Sequence, residues 1–223
     1  MALSLPLLIW TSPSFPVGAF AYSHGLEWAQ EAGDVTDAES LASWLGDLLA
    51  HGAPRNDAIL CAEAWRGAQE PARLAELAEL AVALSPSAER RLETITQGNA
   101  FLSVCAASWP CPALDAYRAD AGEADTPLPV AFGLVAAGHG LPLDETLDAL
   151  GLGFVQNLVS AAVRLGIVGQ TRAQAVVASL LPTIRERAEA AAGETLDDLG
   201  SAVFRADLGA LLHETQYTRL FRS

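Results

Sequence analysis

Four histidines, three cysteines and two acidic doublets are the side chains whose types suit metal binding, nucleophilic attack or acid–base work, and their spacing supports little of it. His24, His51, His139 and His213 make no H-E-x-x-H or H-x-H pattern, and none stands near a cysteine at zinc-ligand spacing. No stable metal site built within the chain is expected. His139, between Gly138 and Gly140, reads as a turn histidine. Cys61, Cys105 and Cys111 form no C-x-x-C pair and leave an odd count, so they read as small core residues, with transient metal handling by Cys105 and Cys111 as the alternative. There is no G-x-S-x-G elbow for a nucleophile. Asp144-Glu145 and Asp197-Asp198 read as helix starts, where the helix dipole favours negative charge. Gly151-Leu152-Gly153 could imitate part of a phosphate loop, but without a preceding strand or a lysine, close helix packing explains it better. No catalytic residue is expected.

Polar groups inside apolar helical patterns are the subtler candidates. Gln97 and Asn99, and likewise Gln156, Asn157 and Arg164, must be hydrogen-bonded or hydrated if buried, at a cost of about 1–3 kcal/mol each when they are not. They fit either a satisfied core network or a water-lined passage between helices.

The elements that must position these groups are helical. Leu41, Trp44, Leu45, Leu48 and Leu49 follow helical spacing, with Thr36 and Glu39 as a capping box ahead of them. Gly52 ends that helix and Pro54 starts the next, which carries Ala58, Cys61, Ala62 and Trp65 on one face. Leu74, Leu77, Ala78 and Ala81 mark another. Leu92, Ile95, Leu102 and Ala106 define a long one ending before Pro110. Leu147, Leu150, Phe154, Leu158, Ala161 and Leu165 mark a further long helix, and Thr171 to Ala192 reads as one that Pro182 bends or breaks. No stretch alternates with period two, and Asn-Gly and Asp-Gly turns are absent. The fold class is all-α, a single domain over 1–223 with about eight to ten helices. The proline-rich segment 108–129 is the one plausible linker and reads as a longer internal connection.

Composition narrows the partners. Twenty-seven acidic residues face thirteen basic ones, for a net charge of −14, and every basic residue is arginine. Such a surface disfavours nucleic acid and anionic membranes. The missing lysine excludes a P-loop lysine, a Schiff base and a serine–lysine dyad. The mean hydropathy of +0.26 owes much to alanine, and no run reaches the roughly 20 clean apolar residues of a spanning helix. Ala2 to Trp10 is too short for a secretory signal and lacks its basic start. A soluble, cytoplasmic protein is expected.

Two segments resist a bland reading. From Ser12 to Ala29 the chain sets Pro13 and Pro16, Gly18 and Gly25, and Phe15, Phe20 and Tyr22 beside Ser23, His24 and Glu27. The prolines favour extended backbone, and the glycines mark an unusual φ or a close backbone approach. Glu27 is a poor core residue unless paired, so a surface role is expected for it. The tail from His213 to Ser223 offers Tyr217, Leu220 and Phe221 with Arg219 and Arg222, a hot-spot composition at a position where residues usually fray. It suits ordering on a partner better than docking on the chain's own body.

These segments, S-x-F-P-x-G-x-F-x-x-S-x-G-L-E within 5–29 and the tail H-E-T-Q-Y-T-R-L-F-R-S, resemble the urease accessory protein F family. RLETITQGNAFL (91–102) and SAAVRLGIVGQTRAQ (160–174) resemble it too, so the likeness covers essentially the whole chain. It implies an all-helical, non-enzymatic scaffold, usually a homodimer, in nickel-dependent urease maturation. Such a scaffold binds the accessory protein D (H) and recruits the GTPase G to deliver nickel to apo-urease. It holds no tight cofactor itself: nickel passes through the complex and the partner binds GTP. The partner-binding residues so implied are Phe15, Pro16, Gly18, Phe20, Ser23, Gly25, Leu26 and Glu27, then Arg164, Gly169 and Gln170, then His213, Glu214, Tyr217, Arg219, Leu220, Phe221 and Arg222, with Glu27 as the contact that tunes the GTPase. The chain departs from the pattern at Tyr22, where many members have His, and at His24, where many have Gly. It departs again at Ile167, in place of a proline, and at Leu211-Leu212, in place of Met-Arg. Two other classes stay open, a helical adaptor for another complex and an acid–base enzyme.

Overall fold

Proline and glycine set most helix boundaries in the computed structural model, which describes residues 4–122 and 124–223. Residues 1–3 and 123, which fall within the expected N-terminal stretch and the 108–129 connection, lie outside the described residues. Two six-residue helices, α1 (Leu5–Trp10) and α2 (Leu26–Glu31), flank a 3-10 turn at Ala19–Ala21. There follow α3 (Ala38–His51), α4 (Ala53–Arg66), α5 (Pro71–Ala83) and α6 (Ala88–Ser108). After them come α7 (Pro112–Ala121), α8 (Leu128–Gly138), α9 (Leu143–Arg164), α10 (Gln170–Ala191) and α11 (Phe204–His213). The all-α expectation holds, with no strand among the described residues. The count exceeds the expected eight to ten because α1 and α2 are too short for periodicity to register.

Local chemistry explains the starts and stops. Asp37, not Thr36, caps α3: its carboxylate accepts from the Glu39 and Ser40 amides at 3.0 and 2.9 Å, and the Ser40 hydroxyl accepts from the Asp37 amide. Pro54, Pro71, Pro112 and Pro129 each sit in a first turn, where the missing N–H costs nothing. Pro182 does not break α10, which continues on both sides of it. The 108–129 connection contains a helix, α7, that packs against α5 and α8.

Two apolar cores result. In the first, built from α1 and α4–α8, Trp10 takes Phe101, Trp109 and Phe132 edge-on at 5.7, 5.7 and 6.1 Å. Helix α8 runs through its middle and is buried nearly all round, so close against α4 that any side chain at Gly133 would strike the Cys61 carbonyl. In the second core, Leu41, Leu45 and Leu49 of α3 meet Leu158 of α9 and Val176 and Leu180 of α10. Helix α9 is long and apolar enough to cross a membrane by length and composition, yet it lies against α10, α4 and α8. The three cysteines are buried and free, as the core reading expects.

Helix α6 reverses one expectation. Leu92 is 56 % exposed and Ile95 is only half-buried, whereas Arg90, Glu93 and Gln97 face inward with Phe101, Leu102 and Cys105. The inward face of its first two turns is polar. That face looks onto the seam between the two cores.

Candidate partner-docking site

Three residues of left-handed backbone, Gly18 and the adjacent pair His24-Gly25, shape the N-terminal half of the site. Gly18 and Gly25 have φ of +78° and +74°, as their residue type suggested, and His24 adopts +55° with a side chain in place. Gly25 also lies so close to α11 that a Cβ there would come within 2.9 Å of the Ala210 amide nitrogen. Its hydrogen side chain therefore allows α2 and α11 to cross.

The tail lies along this crossing. The Ser223 carbonyl accepts from the Ser23 amide at 2.8 Å and from the Ser23 hydroxyl, and the Arg222 amide donates to the Ala21 carbonyl at 2.8 Å. Glu27 is the clasp. One carboxylate oxygen accepts from the Leu220 amide at 2.6 Å, and the other accepts from the Phe221 amide at 2.9 Å and faces His213 Nε2 at 3.3 Å. His213, wholly buried, places Nδ1 2.6 Å from Glu89, which also accepts from Arg219 at 2.5 Å. Glu214 accepts from the Ala88 amide at 2.7 Å, adding a second cap to α6 beside Ser87. The Phe221 ring enters the second core, and the Arg164 guanidinium lies between it and Phe20, 4.2 and 3.6 Å from the ring centroids. Each such cation–π contact is worth about 0.5–2 kcal/mol, and burial lowers the pKa of Arg164.

Ser223 also reaches the seam. Its hydroxyl donates to Glu93 at 2.7 Å, and the same carboxylate pairs with Arg90, with His24 at 2.7 Å and with Gln97 at 3.0 Å. Burial alone would raise Glu93, but Arg90, His24 and the Ser223 hydroxyl hold its pKa down to about 2. Burial and Arg90 lower the pKa of His24 against the pull of Glu93, which keeps the imidazole neutral near pH 7.

Two expectations need correction. Glu27 is not a surface carboxylate: it is 6 % exposed and spends both oxygens on the tail. The tail does not wait for a partner in order to take shape, since Phe221, Ser223 and His213 are buried against the body. The residues expected to bind partners therefore divide. Phe15, Ser23, Gly25, Leu26, Glu27, His213 and Phe221 are buried, and Arg164 and Glu214 are half-buried. Pro16, Gly18, Phe20, Gly169, Gln170, Tyr217, Arg219, Leu220 and Arg222 are exposed. Tyr217 stands fully free and Leu220 is 62 % exposed. Gly169 and Gln170 start α10 and make no part of the clasp. Among the departures, Tyr22 is buried and its carbonyl accepts from Asn157, Ile167 packs on the second core, and Leu212 lies on the partly exposed face of α11. Glu89, Arg90, Glu93 and Ser223 were not singled out in the sequence. Arg90, Glu93 and Gln97 do recur every three to four residues, which makes them an inward polar stripe.

The polar helix residues also separate. Asn99 is structural, bonding Asp125 and accepting from the Thr126 amide at 3.0 Å. Gln97, Gln156 and Asn157 line a cavity of about 320 Å³ at the seam between the cores. No group of three His, Cys, Asp or Glu side chains able to hold a metal ion occurs among the described residues.

Comparison with known proteins identifies this arrangement. A UreF family model matches residues 35–181. A urease accessory protein UreF of Xanthobacter autotrophicus is 60 % identical over 221 residues, spanning 98 % of this chain and 90 % of that protein. Counterparts of the same name from Methylorubrum populi and Azorhizobium caulinodans are each 52 % identical across 99 % of this chain, covering 99 % and 95 % of their own lengths. A family match over most of the chain, and relatives this similar along nearly all of it, place the chain in the UreF family of urease accessory proteins.

Proposed function

We propose that this protein is a non-enzymatic scaffold in the maturation of urease, joining the accessory protein D (H) to the GTPase G and so promoting GTP-dependent delivery of nickel to apo-urease. Family membership makes the chain an accessory protein and not itself an enzyme, so the acid–base alternative falls away. The observation that carries the scaffold reading is the division of the tail. Glu27 and Ser23 clamp its backbone, with His213 set between Glu27 and Glu89, and that clamping holds Tyr217 and Leu220 out in solvent with Arg219 and Arg222 beside them. Exposed aromatic and aliphatic anchors on a fixed backbone lose little conformational freedom on binding. Helix α11 adds Phe204, Leu208 and Leu211, exposed and spaced along one face.

Glu27 then acts on the GTPase indirectly, by setting the geometry of the tail rather than by touching the partner. Homodimerisation and a cytoplasmic location belong to the same reading. Nickel and GTP are cargo and partner ligand in it. Reconstitution tests the reading: apo-urease, nickel, GTP and the D/H and G proteins should yield active urease only when this protein is added. Equal activation without it would overturn the proposal.

A further inference from the structure

The cavity at the seam contains a carboxylate that the clasp does not use. Asp57, on the first turns of α4, faces this space and has no hydrogen bond or ion pair among the described residues. The groups facing it are Arg90 and Glu93 from α6 and His24 ahead of α2, with Cys61 one turn along its own helix and Arg187 of α10 also on the cavity wall. Arg90 is committed to Glu93 and Arg187 to Glu194, and His24 is bonded to Glu93. Asp57 alone is left without a counter-charge. Burial pushes its pKa up to about 6, against the pull of Arg90 and with a further push from Glu93.

The remaining walls are mixed, with Gln97, Gln156 and Asn157 beside a larger apolar and aromatic part. Trp10, Phe101, Phe132 and Leu150 come from the first core, and Phe154 and Ile184 from the second. We propose that this cavity binds a small organic cation with an apolar body, a primary amine whose ammonium pairs with Asp57 and whose hydrocarbon part lies against the aromatic wall. The charges of both arginines are already met by carboxylates, Arg90 by Glu93 and Arg187 by Glu194, although Arg187 keeps an unpaired Nε–H, whereas the charge of Asp57 is met by none. A divalent metal would lack ligands, since no cluster of three suitable side chains is present among the described residues. Water fits the polar end but finds few partners along the rings. An ammonium group supplies the missing charge, and ring faces favour cations. The volume falls at the small end of ligand pockets.

The test uses the full chain and 2-phenylethylamine, with 2-phenylethanol as the neutral comparison, titrated by calorimetry at pH 7.5. The expected result is saturable one-to-one binding of the amine, at least tenfold tighter than the alcohol. Asp57→Asn should abolish that preference while leaving the alcohol's affinity and the circular dichroism unchanged. In the wild-type protein, independently of any variant, amine affinity should fall as pH drops below about 6 and Asp57 takes up a proton. Failure of the amine to bind, equal binding of amine and alcohol, a preference that survives Asp57→Asn, or amine affinity that is flat across pH 5–7.5 would each overturn the proposal and leave the cavity as solvent space.

Discussion

Glu93 and Asp57 border the same cavity and titrate in opposite directions. Glu93 receives Arg90, His24, Gln97 and Ser223, and its pKa falls to about 2. Asp57 receives nothing, and its pKa rises to about 6. Desolvation raises both, although Glu93 is buried and Asp57 only half-buried, so the opposite signs come from the partners. A buried carboxylate whose acceptors are filled ties elements together, whereas an unfilled one stores a demand for a cation. Glu27 belongs with Glu93: its acceptors are taken by backbone amides of the tail, and its work is to fix that tail.

Removing the matched carboxylate should have the largest effect. Glu93→Ala leaves the Arg90 guanidinium buried without its partner, at a cost of about 3–5 kcal/mol, readable by denaturant unfolding. A cost below about 1 kcal/mol would show that the matched carboxylate contributes little. Glu27→Ala should cost less, about 1–3 kcal/mol, because freed tail amides can find water. Its signature is local: hydrogen exchange at Leu220 and Phe221 should accelerate to that of an open chain while the helical circular dichroism persists. Deleting Tyr217 to Ser223 should likewise destabilise the body, since Glu27 and Glu93 lose the donors that the tail supplies and Phe221 leaves the second core.

The comparison sharpens with pH. A group whose folded pKa is raised contributes stability that is fully present below its unfolded value, here 3.8, and is lost as pH climbs through about 6. Asp57 should thus make the wild-type protein lose stability between about pH 4 and 6. Asp57→Asn should remove that slope and raise stability at pH 7 by something on the order of 1 kcal/mol. Glu93 works in reverse: its contribution is present above 4.5 and is lost as pH falls toward about 2. A wild-type profile flat between pH 4 and 6 would mean that Asp57 has a partner in solution.

The helices were largely legible because caps, prolines and the leucine spacing of α3 are local signals. The clasp was not, because its bonds join residues almost two hundred positions apart, such as Glu27 to Leu220 and Phe221. Reading Glu27 as a surface group followed from composition, which cannot reveal backbone amides arriving from the far end of the chain. Helix α6 misled for a related reason. Periodicity assigns apolar residues to the interior, which turns Leu92 and Ile95 inward, and of the polar stripe Arg90–Glu93–Gln97 only Gln97 drew notice as a polar group inside a helical pattern. Positive φ at Gly18 and Gly25 was legible from residue type. His24 was not, because only the surrounding structure shows a histidine held in that conformation by Glu93 and an edge-on contact with Phe154 at 5.0 Å.

The smallest effect on stability should accompany the largest on assembly. Tyr217→Ala combined with Leu220→Ala alters two exposed side chains and none of the clasp, so the unfolding midpoint should not move. Size-exclusion chromatography of this double variant with the D/H and G proteins tests the central claim, that the body holds the tail so as to offer these two side chains to partners. The account predicts a complex that elutes intact with the wild-type protein and falls apart with the variant, although the variant is as stable as the wild type. A double variant that assembles like the wild type would contradict it and move the docking surface away from the tail.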